Sequence, residues 1–293
     1  MALHYEWLTP QLELEVPTWC SQKELTFDQT RNIDTRSLAV FAETNEPVAL
    51  VEWFTPKAHH THYYLNIEVA PHLRRRGIGT EVFRLASLLR HQDIPFTCRG
   101  YLHSEELAFA YSLGATTKQI VPPDKANMTH KDELRPLPSI RSLKTEEAAT
   151  FQQAYLSMYE WMHEQWSPVS GVHQQTIQRD ALADLDYEAT SVHYDSSGAI
   201  DAFIAVYQMD GSPILLGETT SRSAQDGERI IEACLRRSLD VLSERGVLEV
   251  GMDGHISDPH WFPNWIKLSP YGEWFQLLEI PASDQPSIIS PRR

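Results

Sequence analysis

Cysteine, positive charge and long apolar runs are all scarce in this sequence of 293 residues. The three cysteines (Cys20, Cys98 and Cys234) are far apart, odd in number and without zinc-site spacing, which is typical of a reducing compartment. Lysines and arginines number 25 against 40 aspartates and glutamates, and the formal charge of −15 argues against a nucleic-acid or anionic-membrane partner. Since no run reaches membrane-spanning length and the start, Met1 to Trp7, does not resemble a signal peptide, we expect a cytoplasmic protein.

The residues that are present favour an ordered chain of two domains. Hydrophobic residues make up 42%, enough for sizeable cores, and the length suits two domains of ordinary size. Residues 12–29 mix helix and loop signals. Alternation and turn residues predict strands in the first half at 4–8, 38–41, 48–54, 62–69, 94–99 and 116–121. Prolines between 122 and 138 indicate a connector, so we predict one domain over residues 1–125 and a second over residues 136–293.

The most informative stretch runs from Arg74 to Thr80, with the sequence RRRGIGT. An alternating run that ends at Val69 precedes it, and a helical apolar stripe begins at Val82 after it. Glycines at a strand-to-helix turn let the backbone come close to a ligand, and the first amides of the helix lack internal partners. The stretch therefore predicts a phosphate site at the helix N-terminus.

The second half repeats the first. Strands are predicted at 191–194, 199–208, 214–220 and 247–252, with a helix at 228–244. The turns at Thr44 and Asp195 are 151 residues apart (195 − 44), and Gly77 and Gly227 are 150 apart (227 − 77). A nearly constant offset over several elements indicates a duplicated fold unit. In the second copy Asp226 and Glu228 place negative charge where a phosphate would lie, so we expect this copy not to bind one.

The spacing Arg74-x-x-Gly77-x-Gly79 resembles the acyl-CoA signature of the GNAT superfamily, the general N-acetyltransferases. The resemblance implies an α/β (α+β) fold with two tandem GNAT-like domains, each a mixed, mostly antiparallel twisted sheet flanked by helices. It implies acetyl-CoA as co-substrate and no metal. By the same resemblance, the residues that bind acetyl-CoA are Ile67, Val69, Arg74, Arg75, Arg76, Gly77, Ile78, Gly79 and Thr80.

The implied reaction moves an acetyl group from acetyl-CoA to a primary amine by direct attack in a ternary complex. The acceptor is a small-molecule amine or a peptide, and the sequence does not identify it. The amine must lose a proton before it attacks, which calls for a base. Glu68, on the polar face of an inner strand, is the first candidate for this catalytic role, and Glu52 on the neighbouring strand is the second; a structural ion pair and a solvated carboxylate are the respective alternatives.

A second family signature is only partly kept around the predicted helix that ends at Gly114. His103 takes the place of an asparagine and is assigned to the cofactor site. Ala110 stands where many family members have a tyrosine that protonates the departing thiolate. The main alternative is therefore an acyl-CoA-binding sensor or scaffold without turnover.

Histidines and aromatic residues form two further groups. His59, His60 and His62 match no common zinc spacing, so we predict a solvated loop, with His62 as a remote candidate base. The aromatic stretches 155–166 and 261–265 are expected to pack in the core rather than contact a substrate, although rings that lined a cleft would suit an amine.

Overall fold

A computed structural model describes residues 2–8, 17, 19, 32–209 and 211–291. The predicted mixed region 12–29 and Cys20 lie outside the described residues, apart from two single positions. The strands are β1 (Leu3–Trp7), β2 (Asn32–Ala42), β3 (Pro47–Pro56), β4 (Tyr63–Val69), β5 (Phe96–Tyr101), β6 (Thr116–Val121), β7 (Lys125–Asn127), β8 (Arg141–Ser142), β9 (Ser191–Tyr194), β10 (Ile200–Met209), β11 (Ser212–Thr219), β12 (Glu249–Met252), β13 (Phe275–Ile280) and β14 (Ser290–Pro291). The helices are α1 (Ile78–Leu89), α2 (Glu105–Ser112), α3 (Ala148–His163), α4 (Gln174–Asp180), α5 (Gly227–Glu244) and α6 (Phe262–Lys267).

The strands form two mixed sheets. The first has the order β14-β1-β2-β3-β4-β5-β13-β6, and the second has the order β7-β12-β11-β10-β9-β8. Antiparallel pairs dominate both sheets. In each sheet a parallel pair follows the central hairpin, β4 with β5 in the first and β11 with β12 in the second, and the first sheet also has the short parallel pair β1 with β14. The predicted fold class, two tandem units of mixed, mostly antiparallel sheet with flanking helices, is confirmed.

The chain divides into two compact units that are not contiguous in sequence. Unit 1 comprises residues 1–99, 105–116 and 278–293, and unit 2 comprises residues 100–104 and 117–277. The sequence instead predicts contiguous domains over 1–125 and 136–293. The last residues of the chain therefore contribute to the fold of unit 1, which alternation in the sequence did not indicate.

The core of unit 1 lies between its sheet and α1. Helix α1 is amphipathic and buries Val82, Leu85 and Ala86 against the side of β4 that carries Tyr63 and its odd-numbered neighbours. The same cluster includes Leu278, Ile280 and Ile289 from the C-terminal segment. Each valine, leucine or isoleucine side chain buried in this way stabilises the fold by about 1.5–3 kcal/mol.

In unit 2, helices pack on both faces of the sheet. Along β10, Ala202, Ile204 and Val206 belong to the cluster that contains α5, and the alternate residues Phe203 and Tyr207 belong to the cluster that contains α3. The strand is buried on both sides, which explains why it reads as a continuous apolar run. Within the described residues, no helix is long and apolar enough to cross a membrane.

Candidate functional site

Strand β4 separates from β5 after only two paired residues. Tyr63 pairs with Phe96 and Tyr64 pairs with Thr97, whereas β4 stays paired with β3 as far as Val69. The second half of β4 is therefore bordered by β3 on one side and by a gap on the other. A gap of this kind leaves backbone groups at the surface of a sheet without a ladder partner.

The register shows which amides face this gap. The amide of Ala70 donates to the carbonyl oxygen of Val48 on β3, at 3.0 Å. In an antiparallel ladder successive residues alternate in direction, so the amides of Val69 and Ile67 point away from β3. At the other end of the strand, the amide of Tyr63 donates toward β5, to Pro95 at 2.9 Å, in agreement with this alternation. Ile67 and Val69 thus present their amides to the gap.

The loop after β4 leads into α1 through two residues with positive φ. Arg75 has a φ of 61°, and Gly77, the N-cap of α1, has a φ of 83°. A side chain at position 77 would be strained there, although no atom lies within 4 Å of the place its Cβ would take. Helix α1 begins at Ile78, directly after this N-cap. The N-cap, Gly77, has no side chain that could cap the helix. The first amides of the helix, at Ile78, Gly79 and Thr80, can therefore donate hydrogen bonds to an anion.

The second glycine of the motif has a different role. A Cβ at Gly79 would lie 3.1 Å from Cζ of Phe109 on α2, closer than side chains normally approach. Gly79 therefore permits α2 to pack on the first turn of α1. The two glycines therefore have different roles. Gly77 adopts the positive φ at the N-cap of α1, and Gly79 leaves the space that Phe109 of α2 occupies.

The three arginines of the loop are exposed, but they differ in the contacts that their side chains make. Nε of Arg74 donates to the carbonyl oxygen of Val69 at 3.2 Å, and its Nη1 lies 3.6 Å from a carboxylate oxygen of Glu105 on α2. Among the described residues, Arg75 and Arg76 form no ion pair. These two side chains can therefore turn to a bound anion without first breaking an internal contact, whereas Arg74 must leave its partners.

The candidate bases lie together on one face of the sheet. Glu52 on β3 pairs with Asn66 on β4, so Glu52 and Glu68 are diagonal neighbours on adjacent strands. Glu52 is 4% exposed, and Glu68 is half-buried. The alternative interpretation of Glu52 as a solvated carboxylate is therefore wrong, because this side chain is buried on the face of the sheet.

The prediction of a solvated histidine loop is also wrong for two of its three members. His59 and His62 are buried, and only His60 is exposed. Burial, with the charge of His59 as a smaller cause, lowers the pKa of His62 to about 4, so its imidazole is neutral at pH 7. Its ring packs edge-on against Tyr64, 5.3 Å between centroids. No group of three or more possible metal ligands occurs among the described residues.

The second signature region contributes less than the first. His103 lies exposed on the turn between β5 and α2, with a φ of 68°. Ala110 is 2% exposed and packs in the core of unit 1, and Tyr111 on the next position is exposed. Helix α2 therefore places a small apolar side chain where the family resemblance calls for a phenol.

Unit 2 repeats the gap and the helix entry. Strands β11 and β12 pair only at Ile214 with Gly251 and at Leu215 with Met252. Helix α5 has Asp226 as its N-cap, with a φ of 57°, where α1 has Gly77. The offset between the two caps is 149 (226 − 77) instead of the predicted 150, because the loop between strand and helix is one residue shorter in unit 2.

Protein groups fill the gap of unit 2. The carboxylate of Glu218, on β11, is fully buried and accepts hydrogen bonds from the amides of Thr219, His260 and Trp261 at 2.7, 2.9 and 3.0 Å. The ring of His260 contacts the same carboxylate at 2.7 Å and covers the entry of α5, since a Cβ at Gly227 would lie 2.6 Å from it. These contacts support the expectation that the second copy does not bind a phosphate.

Replacement of Glu218 by Gln is expected to lower the free energy of unfolding by about 2–4 kcal/mol, because a buried amide cannot accept from three N–H groups as a carboxylate does. The measurement is urea unfolding followed by far-UV circular dichroism. Glu188→Gln is the matched control: Glu188 is an exposed partner of Arg245, and surface pairs contribute less than about 1 kcal/mol. Equal stabilities of the two variants would contradict the assignment of Glu218.

Comparisons with known proteins agree with this geometry. The profile of the acetyltransferase (GNAT) family matches residues 2–94. A tandem GNAT protein from the clavulanic acid biosynthesis pathway is similar in structure, with a TM-score of 0.54 and 15% identity over 87% of this chain and 85% of that chain. A GCN5-related N-acetyltransferase from Sphaerobacter thermophilus gives a TM-score of 0.55 and 12% identity over 87% of this chain and 83% of that chain.

A third structure, the GCN5-related glucosamine N-acetyltransferase region of a fungal multi-domain β-N-acetylglucosaminidase, gives a TM-score of 0.55 and 13% identity over 84% of this chain and 33% of that chain. A search of curated proteins finds no significant match to the sequence. At these identities the structures show the fold, and the profile match covers the segment that contains the gap and the glycine loop. Residues 2–94 thus match the acetyltransferase (GNAT) family, and the similar structures show that the chain as a whole has a tandem GNAT-like fold.

Proposed function

We propose that unit 1 binds acetyl-CoA in the gap beside β4 and transfers its acetyl group to a primary amine. The observation that carries the proposal is the combination of the open gap, with the amides of Ile67 and Val69 facing it, and the uncovered N-terminus of α1 next to it. A carrier with an amide-containing arm and a diphosphate matches both features.

Each part of the site has a defined task in this proposal. The amides of Ile67 and Val69 hold the extended arm of the carrier as a neighbouring strand would. The amides of Ile78, Gly79 and Thr80 receive the diphosphate, and Arg75 and Arg76 add positive charge. The amide of Val69 also donates to the carbonyl oxygen of the acetyl group as negative charge develops there. Arg74 pairs with the diphosphate after it leaves Glu105, and His103 borders the cofactor.

The acceptor is proposed to be a cationic amine, either a small molecule or a peptide. The formal charge of −15 favours a positively charged partner and disfavours nucleic acid. The similar fungal structure is a glucosamine N-acetyltransferase region, which is consistent with an amine as the acceptor class. A cytoplasmic location, where acetyl-CoA is available to the reaction, also belongs to this proposal.

The direct test measures binding first and turnover second. Acetyl-CoA is expected to bind the full chain with a 1:1 stoichiometry in isothermal titration calorimetry, because in the described part of the chain the gap of unit 1 has no side chain assigned to it, whereas Glu218 and His260 occupy that of unit 2. A panel of amines is then screened for release of the CoA thiol with a thiol reagent. Absence of acetyl-CoA binding would contradict the proposal, and a stoichiometry of two would contradict the assignment of unit 2.

Replacement of Glu68 by Gln is expected to lower kcat/KM for the acceptor by about 10²–10⁴-fold if Glu68 is the general base, with little change in the affinity for acetyl-CoA. Glu52→Gln is measured in parallel, since Glu52 lies diagonally across the same face. Glu43→Gln, at an exposed turn position between β2 and β3, is the control. Full activity in both the Glu68 and the Glu52 variants would exclude a carboxylate base on this face.

The second candidate function is an acyl-CoA sensor or scaffold without turnover. The buried Ala110 favours it, because no phenol stands at that position to protonate the leaving thiolate. The two functions differ in one measurement. Acetyl-CoA binding without thiol release across the amine panel supports the sensor, and thiol release with one amine supports the transferase.

A further inference from the structure

The gap beside β4 has a closed end, where β4 and β5 are still paired. Two residue pairs form this closed end, Tyr63 with Phe96 and Tyr64 with Thr97. The side chain of Tyr63 is fully buried, and its ring lies 5.8 Å from that of Phe96. Phe96 in turn packs edge-on against Phe83 of α1 at 5.6 Å. Tyr63 therefore lies where β4, β5 and α1 meet.

The loop between α1 and β5 is bound to Tyr63 at two points. The backbone amide of Tyr63 donates to the carbonyl oxygen of Pro95 at 2.9 Å. The phenol oxygen of the same residue accepts a hydrogen bond from the backbone amide of Gln92 at 3.2 Å. One residue of β4 thus fixes the loop near both of its ends, and with the loop it fixes the point at which β5 begins.

The hydroxyl of Tyr63 also donates to a carboxylate, Oδ2 of Asp34 on β2, at 2.8 Å. Asp34 lies in an irregular stretch where the register of β2 against β3 shifts, and its φ is 53°. A bulge of this kind re-aims a side chain, and a positive φ is uncommon outside glycine. Burial and, as a smaller cause, the hydrogen bond to Asp34 raise the pKa of Tyr63 to about 12, so the phenol keeps its proton at neutral pH.

The other carboxylate oxygen of Asp34 is held by two basic side chains. Oδ1 lies 3.2 Å from Nη2 of Arg36 and 3.3 Å from Nδ1 of His91. Nη2 of Arg36 also lies 2.9 Å from Nε2 of His91. The carboxylate is therefore fixed from both sides, and the hydrogen bonds run without a break from Arg36 through Asp34 and Tyr63 to the amide of Gln92.

The core position of Tyr63 does not by itself require a hydroxyl. Leu65 and Ile67 share its face of β4 and pack in the same cluster with apolar side chains alone. A buried hydroxyl and a carboxylate beside it cost stability unless each finds its partners, and the positive φ of Asp34 adds strain. A satisfied polar network inside a core rigidifies one arrangement of the elements that it joins. The elements joined here are those that border the gap.

We propose that Tyr63 is a positioning residue for acyl-CoA: its hydroxyl holds the loop before β5, and thereby sets the separation of β4 and β5 that receives the arm of the carrier. This inference rests on the proposed function of unit 1. The arm lies between the two strands, so its binding depends on their separation, whereas the diphosphate lies at the N-terminus of α1. Loss of the hydroxyl therefore weakens binding of the arm and leaves binding of the diphosphate intact.

The test uses the full chain and two ligands in isothermal titration calorimetry. Acetyl-CoA carries both the arm and the diphosphate, and 3′-phospho-ADP carries the diphosphate without the arm. Tyr63→Phe is expected to bind acetyl-CoA at least tenfold more weakly than the unmodified protein and to bind 3′-phospho-ADP within about twofold of it. The control is Tyr207→Phe, which removes a buried phenol hydroxyl from unit 2, where it donates to Ala181 at 3.0 Å, and leaves both affinities unchanged.

Two variants of Asp34 test the same hydrogen bond from a side chain nearer the surface, whether or not Tyr63→Phe folds. Asp34→Ala removes the acceptor and is expected to weaken acetyl-CoA binding at least tenfold, whereas Asp34→Asn keeps an acceptor oxygen and is expected to restore most of the affinity. Equal acetyl-CoA affinities of these two variants, or an equal loss of both ligands in folded Tyr63→Phe, overturn the inference alone. If the unmodified protein does not bind acetyl-CoA, the proposed function fails and the inference fails with it.

Discussion

A fragment of residues 1–125, expressed alone, is expected not to fold, although it contains β1 to β6, α1 and α2. Unit 1 also includes residues 278–293. Leu278, Ile280 and Ile289 are 0%, 2% and 6% exposed and pack in the same core as α1. At about 1.5–3 kcal/mol for each buried aliphatic side chain, their loss removes roughly 5–9 kcal/mol, which is comparable with the total stability of a small domain.

The C-terminal segment also makes polar contacts with the rest of unit 1. The amide of Ser283 donates to the hydroxyl of Ser87 on α1 at 3.1 Å, and Ser290 pairs with His4 on β1. Strand β13 has neighbours on both sides in the first sheet, so its removal leaves an unpaired edge on β5. The fragment therefore lacks an interior strand as well as core side chains.

Far-UV circular dichroism and urea unfolding of the fragment measure this prediction. A synthetic peptide of residues 275–293 is expected to restore a cooperative unfolding transition when it is added to the fragment. The same peptide with Leu278 replaced by Asp is the control and is expected to have no effect, because a carboxylate cannot be buried at that position without a partner. Cooperative unfolding of the fragment alone would contradict the prediction and support a contiguous first domain.

Local patterns predicted most of the elements because those elements carry their own signal. The stripe of Ile231, Leu235, Leu239 and Leu242 predicts α5, and all four side chains are fully buried in the structure. The repeat of strand, loop and helix in both halves follows from turn residues and helix caps at nearly constant offsets. Where the loop lengths differ, at the entry to α5, the predicted correspondence is off by one residue.

The pairing of β13 could not be predicted in the same way. The sequence analysis predicts no strand over Phe275–Ile280, because the adjacent Leu277 and Leu278 interrupt the alternation; even a clear alternation does not indicate which strands lie beside one another. Sequence proximity favours the second sheet, and the structure places β13 between β5 and β6 of the first. Pairing depends on contacts between residues more than a hundred positions apart, which a single sequence does not display.

The parts of the candidate site that depend on the local course of the backbone could be predicted from the sequence. The parts that depend on contacts between side chains distant in sequence could not. Gly77 and the run that ends at Val69 have a local signature, and the structure places both beside the gap. Glu218 and His260 are 42 residues apart, and only the folded chain shows that their contact fills the second gap.

Replacement of Thr80 by Glu is expected to raise the Kd for acetyl-CoA at least tenfold while the fold remains intact. Thr80 is the third residue of α1, counted from its N-cap at Gly77. A glutamate at this position is favourable for the helix itself, since a negative charge near the N-terminus stabilises the dipole by about 0.3–1 kcal/mol. The same charge would face the diphosphate, and like charges a few ångströms apart near a protein surface repel by about 1 kcal/mol or more.

The matched control is Thr80→Gln, which has the length of the glutamate without its charge. Differential scanning calorimetry without ligand is expected to give the Glu variant a Tm equal to or slightly above that of the Gln variant. Titration calorimetry is expected to show acetyl-CoA bound by the Gln variant and at least tenfold more weakly by the Glu variant. If the two variants bind acetyl-CoA with equal affinity, the diphosphate does not lie at the N-terminus of α1, and the proposed transferase site in unit 1 is wrong. A Glu variant that is as stable as the Gln variant but binds acetyl-CoA more weakly shows that the added charge acts on the ligand and that the protein has not unfolded.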